Sequence, residues 1–266
     1  MMDFPTGIST TTSGVLVGLV LGLVGGGGSI LAVPLLVYVV GVTSPHVAIG
    51  TSAIAVSLSA LGNVVSHARA GNVKWRCAAV YSAAGVVGAF AGSAAAKLLD
   101  GQKLLALFGV LMIVVGVSML RKRGTAGNPE VRLSTTTARE LLPQLLGIGF
   151  AVGLLSGFFG IGGGFLIVPG LMLATGMPLT MAIGTSLVAV AAFGAATATS
   201  YAVSGMIDWS IASLFVLGGL IGGIAGVALG RALAAKKRAL NLTFSGVVIL
   251  IGLYVVARGT LTLLSA

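Results

Sequence analysis

Residues 22–36 read GLVGGGGSILAVPLL, and 135 residues later, at 157–171, the chain reads GFFGIGGGFLIVPGL. Each stretch is followed by AIGTS, at 48–52 and again at 182–186. In both copies a glycine cluster breaks an otherwise continuous apolar run. Gly27 and Gly28 align with Gly162 and Gly163, and Val33-Pro34 with Val168-Pro169. With one gap near Pro45 the agreement continues. Gly71 and Trp75 fall on Gly205 and Trp209, and Gly85, Gly88 and Gly92 on Gly219, Gly222 and Gly226. Shared hydrophobicity does not place glycines and tryptophans in register, so the chain reads as a duplication.

The 266 residues are 57% hydrophobic and only 8% charged, against roughly 25% charged in soluble domains. Eight apolar segments are legible, at 13–41, 46–68, 73–99, 103–120, 141–175, 179–204, 207–230 and 239–257. Most have the length of a bilayer-spanning helix. The polar, basic stretch 121–140 separates a first membrane repeat, 1–120, from a second, 141–266. The net charge of +10 sits in short segments between apolar runs. It therefore reads as a topology signal and not as a nucleic-acid surface. A single cysteine, Cys77, excludes an intramolecular disulfide and a cysteine-only metal cluster. No cofactor is expected.

Charge also bears on orientation. If all eight segments cross once, the 15 Lys and Arg divide 9 to 6 between the two sides. If each half crosses an odd number of times, the division becomes 12 to 3, with only Lys97, Lys103 and Arg258 on the minority side. The positive-inside rule then puts the majority, including the linker, in the cytoplasm of a multi-pass inner (plasma) membrane protein. The odd count follows if the glycine-broken segments are re-entrant hairpins with half-length limbs, such as Val15–Val24 and Ile30–Val40, and two true crossings per broken segment satisfy the same parity. Such irregular backbone is tolerated only where protein or a water-filled cavity covers it. The expected fold is an all-α integral membrane protein of two inverted repeats. Each repeat is a glycine-broken, re-entrant helical segment plus three transmembrane helices.

Glycine-interrupted segments at matching positions of two halves point to a transporter's binding site. A helix that starts after each break directs unpaired N–H groups and its positive dipole end inward, a site for a small anion. The candidate donors are Gly26, Gly27, Gly28 and Ser29 in one half, and Gly162, Gly163, Gly164 and Phe165 in the other. Thr51, Ser52, Thr185 and Ser186 of the AIGTS runs add hydroxyls. Ser52, Ser59, Asn63 and Ser66 share one helical face, which suits either a polar pathway or interhelical hydrogen bonds. Gly85, Gly88, Gly92 and their counterparts read as a helix-packing ridge. Trp75 and Trp209 read as interface anchors, and His46 and His67 as interface residues. Asp3, Asp100, Glu130, Glu140 and Asp208 all lie at ends or in loops, so a proton-coupled mechanism has no intramembrane carboxylate to use. An anion leaving a negative-inside cell needs none, because the potential assists it by about 2.3 kcal/mol per charge per 100 mV. No metalloprotease motif, catalytic triad or acidic pair lies in the spans, which argues against an enzyme.

These residues resemble the sulfite exporter TauE/SafE family of membrane permeases. The resemblance covers both halves and rests on GxGGGxxxxP at Gly160–Pro169, the two AIGTS runs and the Gly-Trp spacing. The first copy departs slightly, reading GGGGSILAVP over 25–34. The resemblance implies transport of small sulfur-containing anions such as sulfite, sulfoacetate or other sulfonates, with export the expected direction. Another solute, a carboxylate or a metal cation, is the alternative. The partners expected are the anion and the lipid bilayer, with a homodimer a compatible assembly and nucleic acid excluded.

Overall fold

The computed structural model describes residues 4–24, 26–121, 128, 133, 137–162, 164–232 and 237–264. Every regular element among them is helical. Helix α1 (Phe4–Val24) leads into a 3-10 turn (Gly26–Leu31), then α2 (Ala32–Leu35), which ends in a π turn (Leu36–Val40). The first half continues with α3 (Pro45–Arg69), α4 (Trp75–Ala96) and α5 (Gly101–Arg121). The second comprises α6 (Ala138–Phe159), α7 (Gly164–Thr175), α8 (Leu179–Val203), α9 (Trp209–Ala232) and α10 (Lys237–Leu264).

Among the described residues eight helices are long and apolar enough to cross a membrane, and two shorter apolar helices, Gly28–Val40 and Gly164–Thr175, accompany them. Three further spans per half are present as expected, but the expectation of two half-length limbs in each broken segment is corrected. The first limb is full length. With 21 and 22 residues, α1 and α6 extend about 31–33 Å at 1.5 Å per residue, enough for a core of roughly 30 Å. Only the second limb is short. The hydroxyl-rich run before Val15 concealed the start of α1, because its side chains bond back into the helix. Thr10, Thr11 and Thr12 donate to the carbonyls of Thr6, Gly7 and Ile8 at 2.7, 3.0 and 2.8 Å, so their polar atoms do not stop the helix.

The long helices pair by backbone contact, since lipid supplies no hydrophobic drive between them. Along one seam Gly14, Gly18 and Gly22 of α1 meet Phe215, Gly219 and Gly223 of α9. Along the other, Gly149, Gly153 and Gly157 of α6 meet Tyr81, Gly85 and Ala89 of α4. In both seams the residue numbers rise together, so each pair is parallel, and the two seams are one seam with the repeats exchanged. The ridge at Gly88, Gly92, Gly222 and Gly226 packs on the backbone of the same partners. Two further pairs join equivalent helices. Residues 50, 57 and 74 of α3 and its following loop lie against 201, 191 and 185 of α8, and residues 109 and 116 of α5 lie against 252 and 249 of α10. Both of these pairs are antiparallel. Helices α3 and α8 form the centre, 67% and 61% buried over their apolar windows against at most 50% for the other long helices.

Helix starts are capped by the acids. Asp100 Oδ1 accepts from the N–H groups of Gln102 and Lys103, and Asp208 Oδ1 from those of Ser210 and Ile211. Both carboxylates thus serve as N-caps of α5 and α9. Trp75 and Trp209 begin α4 and α9 with their rings exposed.

Candidate functional site

The second glycine break is a left-handed turn. Helix α6 stops at Gly160 (φ 66°), whose N–H bonds the Ser156 carbonyl, and Gly162 is again left-handed (φ 63°). That region of φ penalises any residue with a Cβ. A Cβ at Gly162 would also lie 2.9 Å from a methyl of Val56. Helix α7 then starts at Gly164, and both Gly164 and Phe165 are buried. Gly163 lies outside the described residues.

The first break is built differently. The chain folds straight back on α1, so that a Cβ on Gly28 would sit 2.8 Å from Leu21 Cα. Gly26, Gly27, Gly28 and Ser29 form the start of the 3-10 turn, and Ser29 is fully buried. The turn packs against α7, the helix that starts from the second break, and Gly162 of that break lies against Val56 of α3 and Val190 of α8. Beside the first break opens a cavity of about 230 Å³, bounded by Gly22, Leu23, Ser66, His67, Thr180 and Ile183 among others. At about 30 Å³ per water it has room for about eight waters.

The AIGTS runs occupy equivalent places near the starts of α3 and α8, with Thr51, Ser52, Thr185 and Ser186 all fully buried. The threonines hold loops of the opposite half. Thr51 Oγ1 accepts from Asp208 N at 3.1 Å, and Thr185 Oγ1 from Lys74 N at 3.0 Å. The adjacent Gly50 and Gly184 lie against the carbonyls of Met206 and Asn72 in the same loops. Each AIGTS run therefore clasps the loop that starts α9 or α4. Ser52 reaches the second break instead: its Oγ donates to the Ile49 carbonyl at 2.9 Å and the Gly160 carbonyl at 3.4 Å. Ser186 Oγ donates to the Ile183 carbonyl at 2.7 Å.

The clasp makes a definite expectation. Thr51→Val or Thr185→Val keeps the shape but leaves a loop N–H without its acceptor, at a cost of about 1–3 kcal/mol. Thermal unfolding of the purified protein should show similar losses for the two variants, because the two clasps are equivalent. Unchanged melting in both would remove the clasp from the stability of the fold.

The polar stripe on α3 divides between roles. Ser59 and Asn63 lie against Gly219 and Gly223 of α9, whereas Ser66 lines the cavity. Three features escaped the sequence reading. The glycines at 14, 18 and 22 and at 149, 153 and 157 are spaced by four in both halves, a legible packing signal. His67 lines the cavity rather than only the interface. Lys97, which sequence alone marks as a topology charge, spans from α4 to α8 and donates to Ser200 and Ser204.

Comparison with known proteins agrees with this architecture. The family model for the sulfite exporter TauE/SafE matches residues 11–255. A probable membrane transporter protein of Xylella fastidiosa (strain Temecula1) is 50% identical, covering 97% of this chain and 98% of that protein. The probable membrane transporter protein YunE of Bacillus subtilis is 29% identical over 92% of this chain and 96% of its own length. No solved structure matches. With eight membrane-length helices among the described residues, in two equivalent sets, and a family match across almost the whole chain, this protein belongs to the sulfite exporter TauE/SafE family and is a membrane transporter.

Proposed function

We propose that the protein is a permease for a small sulfur-containing anion such as sulfite or an organosulfonate, and that it works as an exporter across the inner (plasma) membrane. The two halves act as inverted repeats. The observation that carries this reading is the packing of the first glycine break on α7, the helix that starts from the second, beside a cavity of about 230 Å³. The first-turn N–H groups of α7 lack intrahelical acceptors, and the dipole of this 12-residue helix favours negative charge at that end. Gly26, Gly27, Gly28 and Ser29 face it from the other half, with Gly162, Gly164 and Phe165 around the α7 start. Ser52 and Ser186 turn their hydroxyls from local carbonyls toward the anion when it arrives, and Thr51 and Thr185 keep the flanking loops in place.

Inversion is supported by the antiparallel pairing of equivalent helices, α3 with α8 and α5 with α10. A two-fold axis lying in the membrane plane reverses equivalent helices in this way, whereas an axis along the normal keeps them parallel. The 12 to 3 charge division then sets the linker and the cavity mouth at the cytoplasmic side. Lys97, Lys103 and Arg258 face outward.

A proteoliposome flux screen of sulfite, organosulfonates and simple carboxylates tests the reading. Sulfur-containing anions should move, and an imposed 100 mV should drive a monovalent one to about fifty-fold accumulation, since about 2.3 kcal/mol acts on each charge. Carboxylate flux without sulfite or sulfonate flux would reject the substrate class. Movement that ignores the potential would reject uncoupled export.

A further inference from the structure

We propose that Lys97 is the latch of the closed end of the transport path, and that the departing anion displaces its hydroxyl partners. The inference rests on the anion-permease reading for the ligand, but the latch itself rests on geometry alone. The repeat offset of 134 or 135 residues maps the cavity onto the other end of the molecule. Ser66, His67 and Ala70 become Ser200, Tyr201 and Ser204; Ile183, Val227 and Gly230 become Ile49, Ser93 and Ala96.

The two ends are not in the same state. Ile183, Val227 and Gly230 line the open cavity and are partly exposed. Their counterparts Ile49, Ser93 and Ala96 are at most 1% exposed, and Tyr201, in the place of His67, is fully buried. Lys97 closes this end. It caps α4, and its Nζ donates to the Ser200 carbonyl at 3.1 Å, Ser200 Oγ at 3.1 Å and Ser204 Oγ at 2.9 Å. The ammonium also stands 5.6 Å from the centroid of the Tyr201 ring. His46 completes the seal, with Nε2 3.3 Å from the Ala96 carbonyl.

The chemistry of the partners suits a latch that an anion opens. Lys97 is held by one carbonyl and two hydroxyls, all neutral, and a ring face adds a weaker attraction. A small oxyanion offers the same ammonium a full opposite charge, which these neutral acceptors lack, and so attracts it more strongly. An anion coming from the glycine breaks therefore exchanges with Ser200 and Ser204 for the ammonium, and α4 separates from α8. A neutral or cationic solute gains nothing from this exchange, so Lys97 also selects for charge. By inversion, opening this end accompanies closing of the cavity at the other.

Thiol accessibility and flux together test the proposal. In a Cys77→Ala background, Ser93→Cys reports the closed end and Ser66→Cys the open cavity. A membrane-impermeant maleimide is applied to each side in turn. With Lys97 present, Ser93→Cys should be protected; with Lys97→Ala, or with Ser200→Ala and Ser204→Ala together, its labelling should accelerate at least tenfold while labelling of Ser66→Cys slows. Lys97→Arg should keep the protection. In sulfite flux, Lys97→Gln should lower the rate at least tenfold, and Lys97→Arg should retain most of it. Unchanged labelling in both Lys97→Ala and the double serine variant overturns the latch, whatever the flux. Faster labelling in a protein whose wild type moves neither sulfite nor sulfonates keeps the latch and removes the anion reading instead.

Discussion

Gly153→Leu is expected to leave little folded protein. Gly153 of α6 faces the backbone of Gly85 on α4, and a Cβ there would fall 2.5 Å from Gly85 Cα. Neither partner has a flexible side chain to move aside, so the two helices must separate along the seam. Overpacking a core that can adjust costs about 1–3 kcal/mol; a backbone obstacle should exceed that range. The loss matters more in a bilayer, where close packing is the main force between helices. Gly147→Leu, six residues earlier on the same helix, is the control. A Cβ there meets nothing within 4 Å, so the change should stay within about 0.5 kcal/mol. Yield and thermal unfolding in detergent read the difference. Gly18→Leu on α1 should repeat the defect, because Gly18 meets Gly219 in the equivalent seam. Equal stability of Gly153→Leu and Gly147→Leu would show that the seams do not hold the halves together.

Gly162→Ala is expected to cut anion flux at least tenfold while the protein remains folded. Gly162 (φ 63°) forms the turn just before α7, and Gly176 (φ 67°) follows the other end of the same helix. An alanine at either position carries the left-handed penalty of roughly 1–2 kcal/mol. A Cβ on Gly176 has open space around it, whereas one on Gly162 approaches Val56 at 2.9 Å. Both variants should thus lose stability, Gly162→Ala somewhat more, but only Gly162→Ala displaces the donors at the α7 start. Misplacing binding groups by about 1 Å can cost on the order of a hundredfold in rate. Sulfite flux measured beside thermal unfolding separates the two effects. Equal flux loss in both variants would reduce the break to a support for α7, and wild-type flux in Gly162→Ala would place the anion elsewhere.

The sequence by itself determined the duplication, the membrane class, both glycine breaks and the small-residue ridge at Gly85, Gly88 and Gly92. Each of these is written along the chain. Lipid demands that every spanning segment satisfy its own backbone, so hydropathy and helix length are read segment by segment. Even there, local chemistry hid a boundary. The threonines of α1 looked like the outside of the membrane because their bonds to carbonyls four residues back are invisible in composition. Only the tertiary structure decided what the polar side chains do. Thr51 and Ser52 are neighbours in sequence, yet one holds the loop at Asp208 and the other reaches the break at Gly160. Lys97 and Arg231 are repeat equivalents by position, but the bonds of Lys97 to Ser200 and Ser204 depend on α4 lying beside α8. A buried polar atom takes its partner from whichever helix stands opposite, and at these sites that helix belongs to the other half of the chain. Helix pairing across the two repeats is a long-range outcome of packing, which no local pattern of residues encodes.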